Sequence, residues 1–491
     1  MIGNPQPAQP GLKRVLGLKE LLLYGIILVQ PTAPMPLFGV VAQEARGHVV
    51  TTIMIGMVAM LFTAISYGRM ANAYPSAGSA YAYVGRELHS ALGYLVGWGM
   101  LFDYVMNPII CAIWCSKSAM KFVPMLPYAV WAVFFVGLFT AMNLRGIQAS
   151  ARTNAVIAAG LGVVIVLFFG AAARWLWLQP PAGAAAWLRP FYDPQTFSWQ
   201  HVSTGASLAM LTYIGFDGIS TLSEEVRNPR RNILLATVLT CLVTGVLASL
   251  QVYTAQLVWP ESNNFPDVDT AFVDVAGKAG GQWLLVTVNA ALLIATIGSG
   301  SGAHLGAGRL LYSMGRDNAI PRRFFGVVHP RTRIPRNSIL FVGGLALAGA
   351  FLLNYMDAFI GEVLKWLGRP ANAGGPPITG YQLGAELLNF GAAIAFMGVN
   401  ASAFVRYYVR AERRTLGNML PPLLGFAVCF YIWLSLRTPA KVVGLVWLAT
   451  GLLYGAWKTN WFARKIEFAA PEEEPAPTSA NNEPRTNYPE P

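Results

Sequence analysis

Tyr213-Ile214-Gly215-Phe216-Asp217-Gly218 interrupts a long apolar run near the middle of the chain. The run resumes and closes on Ser223-Glu224-Glu225-Val226-Arg227-Asn228-Pro229-Arg230-Arg231. The first apolar run is broken in the same way, at Gln30-Pro31-Thr32-Ala33-Pro34-Met35-Pro36. Backbone polar groups are too costly to leave unmet in hydrocarbon unless they line a cavity or meet protein partners. Two corresponding helices, each unwound near mid-membrane, therefore point to the solute site of a secondary transporter.

Composition supports a membrane setting. The chain has 491 residues, 55% of them hydrophobic and only 12% charged, about half the charge of an ordinary soluble protein. Apolar stretches near 20 residues recur along it, each long enough to cross about 30 Å of hydrocarbon. The N-terminal tail carries no cleavage pattern, so the first span is expected to act as an uncleaved signal anchor. The formal charge of +12 reflects basic residues set between apolar spans, which is topology and not a nucleic-acid surface.

Twelve spans are expected, at about 20–42, 49–68, 88–116, 125–143, 153–178, 202–222, 233–258, 280–301, 338–355, 384–405, 419–436 and 441–458. Residues 1–19 form an N-terminal tail and 459–491 a C-terminal tail. From Glu467 onward that tail, with Glu472-Glu473-Glu474 and many prolines, reads as disordered. Of the 35 Lys and Arg, 25 fall in the tails and the loops after even-numbered spans, so both termini are expected in the cytoplasm. The broken spans are the first and the sixth. If each opens a five-span repeat, 20–178 and 202–405, the odd number gives the repeats opposite topology. The segment 419–458 then lies outside them.

Pro31, Pro34 and Pro36 cannot donate backbone hydrogen bonds, and three within six residues exceed a simple kink. Past the break, a half-helix would aim partial positive charge at an anionic group. In the sixth span, Gly215 and Gly218 permit backbone shapes closed to other residues. Asp217 between them must be paired, protonated or wet; it can neutralise an amine, carry a proton or meet a buried base. Tyr213 and Phe216 either stack on a cationic solute or pack between helices. Asp103, in Gly97-Trp98-Gly99-Met100-Leu101-Phe102-Asp103-Tyr104, has no Lys or Arg within a helical turn. It needs a partner from another span, or a cation, and Tyr104 beside it would gate or pack. Ser299 and Ser301 offer hydroxyls that suit Na⁺, or small surfaces for close helix packing.

Glu224 and Glu225 with Arg227, Arg230 and Arg231 read as a solvated charge cluster or an inner-gate network. Cys111, Cys115, Cys241 and Cys429 lack metal spacing; Cys111 and Cys115 share a helical face, for packing or a redox role. No Walker loop, zinc spacing or nucleophile elbow occurs, and the five histidines (48, 89, 201, 304, 329) are scattered. Neither an enzyme, nor a cofactor, nor a metal centre is expected.

The stretch Gly215-Phe216-Asp217 through Glu224-Glu225-Val226-Arg227-Asn228-Pro229-Arg230 resembles the signature of the amino acid–polyamine–organocation superfamily of permeases, as does Tyr74-Pro75-Ser76-Ala77-Gly78-Ser79-Ala80-Tyr81. Within it, Leu61-Phe62-Thr63-Ala64-Ile65-Ser66-Tyr67-Gly68, Asp103-Tyr104, Arg309-Leu310-Leu311-Tyr312-Ser313-Met314-Gly315-Arg316-Asp317-Asn318, His329-Pro330 and Asn389-Phe390-Gly391 are similar to the bacterial putrescine-importer group. The resemblance spans roughly residues 15 to 460. It implies an all-α, five-plus-five inverted-repeat (LeuT-like) membrane fold with discontinuous first and sixth helices. It also implies a pocket lined by Gln30, Thr32, Ala33, Pro34, Met35, Thr212, Tyr213, Gly215, Phe216 and Asp217. To these the residue reading adds Asp103 and Tyr104, with Asp217, Ser299 and Ser301 for a coupling ion. Many amino-acid carriers of this superfamily cradle the substrate carboxylate with a Gly-Ser/Ala-Gly run in the first break. Pro31-Thr32-Ala33-Pro34 stands there instead, which favours an amine over an amino acid. The expected activity is import of a small organic amine, a polyamine such as putrescine, or an amino acid, across the cytoplasmic membrane. H⁺ is the expected coupling ion; Na⁺ coupling and exchange stay open. A neutral or cationic amino acid permease is the rival.

Overall fold

The computed structural model describes residues 16–74, 78–146, 151–329, 332, 334–366 and 379–461, and only the backbone of 151–155, 221, 223–225, 230 and 357–366. The acidic tail from Glu467, the Pro75-Ser76-Ala77 part of the second motif and Pro330 lie outside the described residues. So do the side chains of Glu224, Glu225 and Arg230.

Among the described residues the fold is all-helical, with one isolated bridge joining Leu16 to Val226. The first apolar run forms α1 (Leu18–Val29) and α2 (Pro34–Glu44), bent by 46° at the break between them. Then come α3 (Val49–Ala73), α4 (Ser79–Glu87), α5 (Ser90–Phe122), α6 (Tyr128–Leu144) and α7 (Ala151–Leu178). The sixth apolar stretch forms α8 (Trp199–Ala209) and two 3₁₀ segments, Met210–Tyr213 and Phe216–Glu225. After it run α9 (Pro229–Val258), α10 (Ala271–Gly280), α11 (Gln282–Arg316), α12 (Arg336–Trp366), α13 (Gly380–Phe404), α14 (Leu416–Leu434) and α15 (Thr438–Lys458).

Nine of these helices are long and apolar enough to cross a bilayer, and the bent α1–α2 pair makes ten. The 17-residue α6 and the interrupted stretch 199–225 fall outside that count. Helices apolar on every side are either central or lipid-facing, and burial tells them apart. The apolar window of α5 is 83% buried, that of α7 only 28%. Thus α5 is the central post, packed chiefly against α13 and α11.

Two departures from the sequence reading have physical causes. The eighth span was expected to end at 301, yet α11 continues to Arg316. Its Gly-Ser run stays helical because the small residues let α5 approach: a Cβ on Gly300 would meet the Cβ of Cys111 at 2.9 Å. The short helices α4 and α10 sit in expected loops; α4 is buried nearly all round, with Tyr81, Ala82, Tyr83 and Val84 all inside the bundle, and α10 buries Phe272, Val273, Val275 and Ala276.

Candidate functional site

Proline ends α1. The Gln30 N–H still reaches Ile26 O at 2.9 Å, but Gln30 itself turns to φ 66°. A tight turn follows, in which Ala33 N–H donates to Gln30 O and Met35 N–H to Thr32 O, both at 3.0 Å. Pro34 takes the first position of α2, where its fixed φ suits the helix and its missing N–H would be an orphan anyway. With Pro36 also lacking a donor, the start of α2 presents almost no free amides. It is a poor anion cradle.

The sixth stretch unwinds on glycine. Ile214 is extended and Gly215 adopts φ 118°, with its Cα facing α1: a Cβ there would lie 3.0 Å from Leu28 O. A Cβ on Gly218 would clash with the Leu28 side chain. Only glycine allows both the left-handed backbone and the approach. Asp217 then satisfies the break from inside: its Oδ1 accepts the Gly215 N–H at 3.2 Å and its Oδ2 accepts the Tyr104 hydroxyl at 2.8 Å.

Together α1, α5, the second break and α11 enclose a cavity of about 620 Å³. Gln30, Asp103, Tyr104, Asn107, Ile214, Gly215 and Ser299 line its deep part, and it runs along α1 to Leu16, Glu20 and Arg309. A second chamber of about 60 Å³ shares Gln30, Asn107, Ile214 and Ser299, and adds Ala33, Cys111, Trp114, Thr296 and Tyr381 on the α2 side. Asp103 is buried, 1% exposed, and its Oδ1 accepts no hydrogen bond among the described residues. The Thr296 hydroxyl is likewise unmet.

Six expected site residues therefore line the large cavity: Gln30, Asp103, Tyr104, Gly215, Ser299 and Ser301. Ala33 lines the small chamber. Thr32, Pro34, Met35, Thr212, Tyr213, Phe216 and Asp217 line neither. Tyr213 donates to Ile53 O at 2.7 Å, and Phe216 packs edge-on to Tyr67 and beside Phe396. Both rings thus brace the break against neighbouring helices. Thr32 and Thr212 are fully buried, each with a hydroxyl lacking a partner. Ser301 sits by Asn143, whose amide donates to its carbonyl at 3.0 Å. Gln30 donates to Ala295 O at 2.5 Å, tying the first break to α11.

Sequence reading missed Asn107, Thr296, Trp114 and Tyr381. Asn107 was findable: Asp103, Asn107 and Cys111 recur at four-residue spacing, one face of α5, and the Cys111 thiol donates to Asn107 Oδ1 at 3.2 Å. Pro108 beside it lacks the N–H that would bond the Tyr104 carbonyl. The others are apolar or single polar residues with no distinguishing pattern.

Asp269, in a short 3₁₀ turn before α10, binds Lys117 Nζ at 2.5 Å and the Thr379 hydroxyl at 2.9 Å, while its carbonyl accepts Trp114 Nε1 at 2.9 Å. Burial raises its carboxyl above the ordinary range, and Lys117 pulls the other way. The four cysteines are free and buried, and no His, Cys, Asp or Glu group among the described residues is arranged to hold a metal.

A bent pair and an unwound sixth stretch beside a largely apolar cavity with a few polar groups fit a multi-helix membrane transporter. The amino acid permease family matches residues 36–374, and the chain belongs to that family. It is 32% identical over 468 residues to the low-affinity putrescine importer PlaP of Escherichia coli K12, covering 94% of this chain and 97% of the relative. It is 25% identical over 477 residues to the branched-chain amino acid permease BcaP of Bacillus subtilis, covering 91% and 93%. Among solved structures, a manganese transporter mutant from Eremococcus coleocola superposes with a TM-score of 0.54 at 10% identity, covering 90% of this chain and 95% of that one. That likeness concerns the fold alone.

Proposed function

We propose that this protein is a secondary active transporter importing a small organic amine, with a linear polyamine such as putrescine as the leading substrate. It works by alternating access between twelve spans arranged as two inverted repeats, with both termini in the cytoplasm. One observation carries the substrate choice. Asp103 presents a buried carboxylate with an unmet oxygen on the wall of a solute-sized cavity, and the start of α2 offers almost no amides for a carboxylate. A buried charge without a partner is expensive, and an ammonium supplies the missing partner. Arg309 is the only Lys, Arg or His side chain lining either cavity, and it stands at the far mouth among the described residues. The putrescine importer relative agrees with this reading.

Each positive charge entering along the membrane potential gains about 2.3 kcal/mol per 100 mV. Proton symport is our preferred coupling, with Asp217, held by Tyr104 beside the cavity, as the proton carrier. Sodium at Ser299 and Ser301 is the alternative, as is exchange. A neutral or cationic amino acid permease is the second reading, favoured by the match to the branched-chain permease. The test is uptake of labelled putrescine into proteoliposomes under an imposed pH gradient, an imposed Na⁺ gradient, or neither. Accumulation above equilibrium only with the pH gradient is expected. Accumulation of branched-chain amino acids with none of putrescine would overturn the amine assignment.

A further inference from the structure

Two buried oxygens without partners lie one in each chamber, Asp103 Oδ1 in the large cavity and Thr296 Oγ1 in the small one. The chambers meet at a neck whose residues line both: Gln30, Asn107, Ile214 and Ser299. From one oxygen to the other the way runs between α5 and α11, and glycines fix the register of these helices. A Cβ on Gly306 would lie 3.3 Å from the Tyr104 ring, and one on Gly300 would lie 2.9 Å from the Cys111 Cβ. The Cys111 thiol also has the Ser299 hydroxyl as a hydrogen-bond partner. The two helices are therefore antiparallel here, with Asp103 near the level of Gly306 and Cys111 near that of Ser299.

The far side of the neck is a set of acceptors. Gln30 spends its side-chain N–H on Ala295 O, and its Oε1 receives no hydrogen bond among the described residues. Ser299 and Thr296 stand one turn apart on the same face of α11. Gln30 Oε1, Ser299 Oγ and Thr296 Oγ1 make three acceptors, and an alkylammonium carries three N–H donors. No Lys, Arg or His side chain lines the small chamber to compete. Between the two ends Ile214 offers apolar surface to a carbon chain. The length also agrees. From Asp103 to Cys111 is a rise of about 12 Å along α5. An extended four-carbon diamine holds its nitrogens about 6 Å apart, and a hydrogen bond at each end adds about 3 Å.

We propose that the two chambers form a ruler for linear diamines, with one ammonium on Asp103 and the other on Thr296, Ser299 and Gln30. The inference rests on the amine reading above and adds the chain length and the residues that measure it. Thr296 and Ser299 are its specificity-determining residues. A monoamine satisfies Asp103 and leaves Thr296 unmet. A three-carbon diamine is too short to engage both ends at once. Putrescine engages both.

The test is calorimetric binding of butylamine, the three-carbon diamine and putrescine to the purified full-length protein, in sodium-free buffer so that no metal cation competes at Ser299. Wild type should bind putrescine about tenfold more tightly than either of the others. Thr296→Val keeps the side-chain shape and removes the hydroxyl, and Ser299→Ala removes the second one. Together they should weaken putrescine about tenfold while moving butylamine by less than about threefold. Thermal melting of each variant checks that it is folded. Equal affinity of wild type for putrescine and butylamine would overturn the ruler and leave the amine reading standing. So would a double variant that weakens both ligands alike, or neither. A wild type that binds no amine at all would overturn the ruler together with the reading beneath it.

Discussion

The two helix breaks reach the same geometry with opposite chemistry. The first is made of prolines, which remove donors; what donors remain at Ala33 and Met35 are used within the turn. The second is made of glycines, which keep their donors, and Asp217 collects one of them at Gly215. Each break therefore spends backbone donors on its own turn, while the buried hydroxyls of Thr32 and Thr212 stay unmet. A carboxyl oxygen without a partner lies elsewhere, on Asp103 of the unbroken α5. The breaks shape the cavity, and the central post supplies its polarity.

This contrast can be broken by substitution. Gly215→Val forces a branched side chain into φ 118° with Leu28 O 3.0 Å from its Cβ, and should destabilise by about 3 kcal/mol, read as a lower melting temperature in detergent. Away from both breaks, Lys117→Met strands the buried Asp269 and should cost about 2 kcal/mol near neutrality. Burial already raises that carboxyl, and losing Lys117 raises it further, so the defect should shrink as pH falls and Asp269 protonates. A melting deficit that grows in acid would contradict this. Tyr104→Phe removes the hydroxyl that Asp217 Oδ2 accepts and should cost about 1.5 kcal/mol. Its larger signature is weaker drive by a pH gradient in proteoliposomes. Pro34→Ala should change stability by only about 0.5 kcal/mol, since Pro34 occupies a position that tolerates either residue. It restores one amide to the first break, so competition by carboxylate-bearing amines should strengthen slightly.

The all-helical, multi-span character was legible because membrane helices announce themselves by length and apolarity. Both breaks were legible because Pro31, Pro34, Gly215 and Gly218 are backbone instructions. The eighth span reads as ending at 301, whereas α11 continues to Arg316. The site was half legible. Asp103, Tyr104, Gln30 and Ser299 could be named from intramembrane polarity, but sequence alone does not say which side of a broken helix faces the cavity. Tyr213 and Phe216 therefore read equally as rings stacked on a solute or packed between helices. Packing by Tyr67, Phe396 and Ile53 turns the rings away, and those partners lie more than a hundred residues distant in sequence.

The assignment of solute charge to α5 rests on a comparison of two carboxylates. The direct measurement is calorimetric binding of putrescine to purified protein, wild type against Asp103→Asn and Asp217→Asn. Loss of a charge-assisted contact worth about 2 kcal/mol should weaken binding to Asp103→Asn by about 30-fold, while Asp217→Asn stays within about threefold of wild type. Undiminished affinity in Asp103→Asn, with binding lost in Asp217→Asn, would contradict it.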